Sequence, residues 1–137
     1  VLHTKAVLFL NNWDSSQAGI STFPLNANFT NNIFWGDNGT VEDEVYVSKR
    51  GNNPFNVLFS HNLYKAIQDP AFSTLTANIK NLNPLFDSVN TANRYFNFRL
   101  QNNPSPAINK GIPAGINSDL DGKPRDSQPD MGSYEKN

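Results

Sequence analysis

The sequence predicts an all-β chain in which short strands stack in successive coils of a solenoid. The first observation is that 22 of the 137 residues are asparagine, a poor helix former that tolerates left-handed turns. The second is that only 17% of the residues are charged, fewer than the quarter typical of soluble domains. The third is an internal repeat in the first half of the chain. These features favour strands and turns over helices.

The repeat has the pattern Phe-x-[Asn/His]-Asn-apolar and occurs at residues 9–13, 29–33 and 59–63, with a weaker echo at 79–82. A short strand with alternating apolar residues cannot bury its face alone, whereas equivalent strands stacked about 4.8 Å apart share one core. We therefore expect one interior stack of phenylalanines and, at the corner after each strand, one ladder of asparagine amides. The predicted stack is Phe9, Phe29 and Phe59, and the predicted ladder is Asn12, Asn32 and Asn62. Chance recurrence in an Asn-rich chain is the alternative.

The interval between the second and third copies of the repeat contains the densest acidic run of the chain, at residues 42–44. Aromatic side chains nearby can stack on sugar rings. The predicted substrate-binding residues are Trp35, Tyr46, Glu42 and Glu44. A solvated loop of mixed charge is the alternative for this interval, because loops are generally polar. No motif identifies a catalytic residue, and His3 and His61 are interpreted as structural because neither has a partner at metal or triad spacing.

From residue 83 onward the repeat gives way to a series of short phrases. In order they are NPLFD, FNFRL, SPAINKG, DLDGKPR and PDMGSYE, at residues 83–87, 96–100, 105–111, 119–125 and 129–135. This series resembles the C-terminal end of secreted bacterial right-handed parallel β-helix proteins, which are similar in fold to pectate lyases. The resemblance covers roughly residues 27–135, since Asn-Asn-Ile-Phe-Trp-Gly at 31–36 is also typical of their last full coils. It implies a right-handed parallel β-helix.

The resemblance further implies a division of the chain within one structural domain. Residues 1–82 would form β-helix coils of a longer protein, and residues 83–137 the last coil and a C-terminal capping tail. It also implies a bacterial protein that is secreted or lies at the cell surface. Such tails occur in proteins of different function, so two classes stay open. One is the scaffold and cap of a polysaccharide lyase or glycoside hydrolase whose catalytic residues lie outside this segment. The other is a non-catalytic glycan-binding or adhesin-like protein.

The charged residues of the tail have two possible roles. Asp119 and Asp121 stand two residues apart before a glycine, as in the start of some calcium loops, but no matching acidic residue closes such a loop. The alternative is a turn in which the carboxylates accept backbone amides, with no cofactor. Arg125 would then tie the tail down, because a guanidinium can bridge two acceptors. The residues of this predicted structural latch are Asp119, Asp121, Arg125, Asp130 and Glu135.

Composition also bears on the partners of the chain. The formal charge of -1 and the pI of about 6.1 leave no basic field for a polyanion, so nucleic acid is not expected. No apolar run approaches the roughly 20 residues that a membrane-spanning helix needs. Stacked strands expose an unpaired edge unless they are capped, and the tail supplies a cap at one end only. End-to-end self-association through an open N-terminal coil is therefore expected.

Overall fold

A computed structural model describes residues 3–36, 39–102 and 104–136, which form twelve short strands and no helix. Predominance of strands and turns agrees with the asparagine-rich composition, because asparagine favours turns over helix interiors. The strands are β1 (Leu8–Asn11), β2 (Trp13–Ser16), β3 (Gly19–Thr22), β4 (Leu25–Thr30), β5 (Ile33–Phe34), β6 (Val45–Ser48), β7 (Phe55–Ser60), β8 (Leu63–Tyr64), β9 (Thr74–Thr76), β10 (Ile79–Lys80), β11 (Phe86–Asn90) and β12 (Tyr95–Leu100).

The described strands form five small sheets. Three are parallel, with the orders β4-β7-β9, β5-β8-β10 and β1-β6, and two are the antiparallel hairpins β2-β3 and β11-β12. The two three-stranded sheets follow one another along the chain, so each turn of the chain adds one strand to both. We call these additions the first layer (β4 and β5), the second layer (β7 and β8) and the third layer (β9 and β10).

The predicted right-handed parallel β-helix is wrong for this chain, although its all-β class is correct. No sheet of the described chain has more than three strands, and two of the five sheets are antiparallel hairpins. The described chain forms these hairpins and an irregular tail in addition to its short parallel sheets. The predicted boundary at residues 82 and 83 lies between β10 and β11.

Corners between the two three-stranded sheets share one backbone conformation. Asn31, His61 and Ala77 all have positive φ, at 59°, 53° and 50°, and each is followed by an asparagine. A left-handed residue turns the chain sharply, which lets one strand of each sheet leave the corner directly. The asparagines that follow are Asn32, Asn62 and Asn78.

Two apolar clusters share the sheet β5-β8-β10. On one face, Phe34 and Tyr64 join the first cluster, in which Phe29 stacks on Phe59 with ring centroids 4.9 Å apart. On the other face, the side chains of Ile33, Leu63 and Ile79 join the second cluster, which the C-terminal segment completes with Leu100, Ala107 and Met131. Alternate residues of a strand point to opposite faces, so this sheet is covered on both sides. The tail is thus part of the core.

Phe9 does not lie in the interior stack, contrary to the prediction. Its strand β1 pairs with β6, where Phe9 lies opposite Tyr46 and is 57% exposed. Its neighbours Leu8 and Leu10 pack against the first cluster. Because side chains alternate along a strand, Phe9 must point outward.

Asn12 does not belong to the ladder either. Its amide donates to the carbonyls of Phe23 (3.1 Å) and Arg50 (3.0 Å), and its Oδ1 accepts the Arg50 N–H at 2.9 Å. The hairpin β2-β3 follows Asn12 directly, so Asn12 fastens the base of that hairpin to the chain after β6. The side-chain amide of Asn12 therefore forms its hydrogen bonds with backbone groups and not with other asparagines.

Candidate functional site

A cleft of about 540 Å³ lies beside the outer edge of the first layer. β4 and β5 are edge strands, so no described strand pairs with this edge. We call this cavity the edge cleft. It is lined by Val7, Thr30, Asn31, Asn32, Ile33, Phe34, Trp35, Phe86, Phe98, Ile112, Pro113, Ala114, Gly115, Ile116, Asn117, Arg125, Asp126, Pro129, Gly132 and Ser133.

The C-terminal segment holds one wall of the edge cleft in place through Asn31. The side-chain amide of Asn31 donates to the carbonyl of Ile112 at 2.7 Å and accepts its N–H at 3.0 Å, in the manner of a paired strand residue. The Gly132 N–H donates to the Asn31 carbonyl at 2.7 Å. A Cβ on Gly111 would lie 2.7 Å from the Pro129 carbonyl oxygen and 2.9 Å from the Asn31 side chain. Glycine is therefore required where the tail crosses this corner.

Arg125 is the centre of the polar contacts in the tail. Its Nη1 donates to Glu135 Oε2 and to the Asp130 carbonyl, both at 3.0 Å, and its Nη2 donates to the Gly132 carbonyl at 2.7 Å. The Arg125 and Glu135 side chains are 11% and 1% exposed. Such a planar fork can satisfy several acceptors at once, which a lysine cannot reproduce. These contacts give Arg125 a structural role.

Both buried carboxyl groups beside Arg125 have raised pKa values. Burial raises the pKa of Asp130, against the lowering effect of its bonds to the Asn109 and Lys136 N–H groups. Burial likewise raises the pKa of Glu135, and the neighbouring Asp130 adds to the increase. Their N–H donors and Arg125 compensate only part of the cost of burial.

Asp119 and Asp121 do not converge on a common point. Asp119 accepts the N–H groups of Asp121, Lys123 and Glu135, each at 2.8 Å. Burial opposes ionisation of Asp119, but these three donors outweigh it and lower the pKa. Asp121 instead pairs with Arg99, whose guanidinium also lies 4.3 Å from the centre of the Tyr134 ring. Within residues 3–36, 39–102 and 104–136 no group of three or more acidic or histidine side chains could hold a metal ion.

A second, shallower cavity of about 320 Å³ lies at the corner after β5 and β8. We call it the Trp35 depression, and it is lined by Trp35, Glu42, Lys65, Ala66, Ile67 and Asn81. The backbone around it is held by side chains. Asp43 accepts the N–H groups of Ile67 (2.7 Å) and Gln68 (3.1 Å), and the Asn81 amide bonds both backbone groups of Ala66 at 2.8 Å.

The structure divides the four predicted substrate-binding residues among three places. Trp35 and Glu42 come together in the Trp35 depression. Tyr46 lies on the outer face of β6, half exposed and stacked on Phe9 at 5.3 Å between ring centroids. Glu44 is fully buried, and its Oε2 accepts the Val7 N–H at 3.1 Å and lies 2.7 Å from His3 Nε2. Glu44 is therefore not available to an external ligand, and its assignment as a binding residue is wrong.

Lys65 is the charged member of the Trp35 depression that the sequence prediction lacks. It directly follows β8, two residues after Leu63, just as Trp35 follows β5 two residues after Ile33. β5 and β8 pair in the register Ile33 with Leu63 and Phe34 with Tyr64, and the Lys65 N–H donates to the Phe34 carbonyl at 3.3 Å. The repeat already aligned these segments, so extending it past the apolar residue would have identified Lys65.

Comparison with family models, curated proteins and solved structures found no match to this chain. The resemblance of residues 83–135 to the tails of pectate-lyase-like proteins therefore stays a prediction. In the part of the chain that the structure describes, no helix is long and apolar enough to span a membrane.

Proposed function

We propose that this protein binds carbohydrate at the Trp35 depression without cleaving it. The observation that carries the proposal is that an aromatic ring, a carboxylate and an ammonium line one open cavity: Trp35, Glu42 and Lys65. An indole presents an apolar face to the C–H groups of a sugar ring, and charged groups at its rim bond hydroxyls or carboxylates of the sugar. The volume of about 320 Å³ falls at the lower end of small-ligand sites.

The rigid surroundings of the depression support this proposal. Asp43 and Asn81 fix the backbone on the floor, while the side chain of Glu42 is exposed and that of Lys65 half-exposed. Trp35 packs against the second apolar cluster, which positions its ring. A site whose groups are already positioned loses less conformational entropy on binding.

Binding is favoured over cleavage by the number of carboxylates. Glycoside hydrolysis ordinarily uses two carboxylates that flank the scissile bond, roughly 5–9.5 Å apart. Among the described residues, Glu42 is the one carboxylate that lines the Trp35 depression. The other class that the sequence predicts, and the first of the two, is the scaffold and cap of a polysaccharide-cleaving protein whose catalytic residues lie outside this segment. Depolymerisation assays with and without chelator distinguish the two.

The proposal is tested by titrating the chain with soluble neutral and uronic-acid oligosaccharides in a calorimeter. We expect saturable binding that weakens in Glu42→Gln and Lys65→Met, whereas Trp35→Phe retains part of it. Matched controls are Asp14→Asn in the β2-β3 hairpin and Lys5→Met, both exposed and outside the depression. Absence of binding across the panel, or equal weakening by the controls, would contradict a site at Trp35.

A further inference from the structure

The ladder formed by Asn32, Asn62 and Asn78 has a direction, because each step joins donors of one asparagine to the side-chain oxygen of the next. The Asn32 N–H and side-chain amide donate to Asn62 Oδ1 at 2.8 and 3.0 Å. The same two groups of Asn62 donate to Asn78 Oδ1 at 2.9 and 3.1 Å. Donors of one layer thus always meet the acceptor of the next layer.

The two ends of this ladder are therefore complementary. At the first layer, no described residue donates to Asn32 Oδ1, although Oδ1 of Asn62 and of Asn78 each receive two donors. At the third layer, the Asn78 N–H has no acceptor within the described residues, whereas the corresponding N–H groups of Asn32 and Asn62 each have one. The acceptor at one end of the ladder and the donor at the other end are therefore suited to pair with one another between two molecules.

The strand edges show the same complementarity. β4 and β5 pair on one side only, as do β9 and β10 at the opposite end, and all four belong to parallel sheets. The third layer can thus take the position relative to the first layer that each layer takes relative to the one before it. An open parallel edge is an effective template for a further strand.

Exposed apolar side chains occur near both ends. Val7, which lines the edge cleft beside the first layer, is 49% exposed. Phe72 and Leu82, which flank β9 and β10, are 59% and 53% exposed. Apolar side chains are thus available near both of the edges that would meet.

We propose that a second copy of this chain docks head to tail on the edge cleft. In this arrangement β9 and β10 of one copy pair in parallel with β4 and β5 of the next, and the Asn78 N–H donates to Asn32 Oδ1. The contact joins two different surfaces, so it repeats from copy to copy and yields open linear assemblies. It is carried by the ladder and the strand edges, and it does not rest on carbohydrate binding.

The register makes the proposal testable at one pair of exposed residues. Asn28 and Thr74 both lie opposite Leu58, on its two sides. Continuing the register across the junction places Thr74 of one copy beside Asn28 of the next. Both side chains are exposed, so charges can be introduced there without entering the core.

The experiment measures mass against concentration by light scattering and sedimentation. We expect the wild-type mass to rise in steps of one chain, and the association constant to fall about threefold or more in Asn28→Lys/Thr74→Lys, because directly opposite like charges repel. Asn28→Lys/Thr74→Glu should restore or strengthen association. Thr91→Lys/Asn93→Lys, which adds the same charge at an exposed hairpin turn, is the control.

Each outcome of this experiment decides the proposal. A wild-type chain that stays monomeric at its highest soluble concentration overturns it. Association that is equally strong in both charge variants also overturns it, because the contact must then lie elsewhere. Circular dichroism melting of every variant separates loss of association from loss of folding.

Discussion

Arg125 donates to Glu135 across 3.0 Å, and both side chains are nearly enclosed by the tail that they hold together. Removing one partner of a buried ion pair leaves the other charge without compensation. The same guanidinium also bonds the carbonyls of Asp130 and Gly132. Arg125 therefore holds several parts of the C-terminal segment together, and its loss should destabilise the segment as a whole.

Replacing Arg125 by alanine should destabilise the protein by about 3 kcal/mol, because Glu135 stays buried without its partner. Arg125→Lys should recover only part of this loss, since an ammonium cannot form the same fork. Urea unfolding and limited proteolysis of residues 105–136 measure the effect. The comparison variant is Arg99→Ala, whose exposed pair with Asp121 is screened by solvent and should contribute much less to stability. Equal effects of the two substitutions would contradict a central role for Arg125.

Asp119→Asn and Asp130→Asn should respond to pH in opposite directions. The Asp119 pKa is lowered from its ordinary value of 3.8, so its ionised form stabilises the fold above 3.8, and this stabilisation is lost as pH falls through the lower folded-state pKa. The Asp130 pKa is raised, so stability from its protonated form is present below 3.8 and is lost as pH rises through the folded-state pKa.

The difference in unfolding free energy between wild type and Asp119→Asn should accordingly shrink below pH 3.8. The difference for Asp130→Asn should instead shrink as pH rises above 3.8. Urea unfolding of all three proteins between pH 2.5 and 7, at roughly one-unit steps, measures both trends. Parallel trends in the two variants would contradict the opposite environments of the two carboxyl groups.

Replacing Asn62 by alanine should cost about 2–4 kcal/mol, because it removes three kinds of bond at a fully buried position. Asn32 loses its acceptor, Asn78 Oδ1 loses a donor, and the Phe29 carbonyl loses the Asn62 amide at 2.9 Å. Urea unfolding is the measurement. Asn56→Ala, an exposed asparagine in β7, should change stability by less than about 0.5 kcal/mol. A small effect at Asn62 would mean that the ladder contributes little to stability.

Gly111→Ala should displace the tail from the Asn31 corner, since its Cβ would approach backbone and side-chain atoms within 3 Å. We expect faster proteolysis after residue 111 and a lower melting temperature. Gly122→Ala is the comparison, because its Cβ would meet open space and only its positive φ of 77° is unfavourable, at about 1 kcal/mol. A smaller effect at Gly111 than at Gly122 would show that the tail can shift at low cost.

The 30-residue spacing of the repeat was sufficient to relate Phe29 to Phe59, because both lie in uninterrupted strands of equal length. It failed at the third layer, where the equivalent of Asn62 is Asn78, after an interval of 16 residues. The residue before it is Ala77, and alanine gives no sequence signal for the left-handed conformation that it adopts. The echo at residues 79–82 was therefore aligned three residues too late.

The prediction for Phe9 is wrong although its segment matches the repeat. The elements packed against a strand decide which of its side chains are buried. Leu8 and Leu10 pack against the first cluster, so the alternation of side chains along β1 turns Phe9 outward, whatever its place in the repeat. Burial of Glu44 was beyond sequence analysis, since its partner His3 is 41 residues away. Trp35 and Glu42 line the same depression because the chain between them turns back toward the corner after β5.

Asn31 bonds Ile112 across 81 residues of chain, and this separation bears on the order of folding. The first apolar cluster needs only β1 to β9, whereas the second includes residues up to Met131. During synthesis, the face of the sheet β5-β8-β10 that carries Leu63 is therefore not fully covered until Met131 has emerged. Contacts of such long range slow folding, because the loop must close before they are gained. Docking of the tail is accordingly expected to be the late, rate-limiting event, and a nascent chain would depend on protection from aggregation until then.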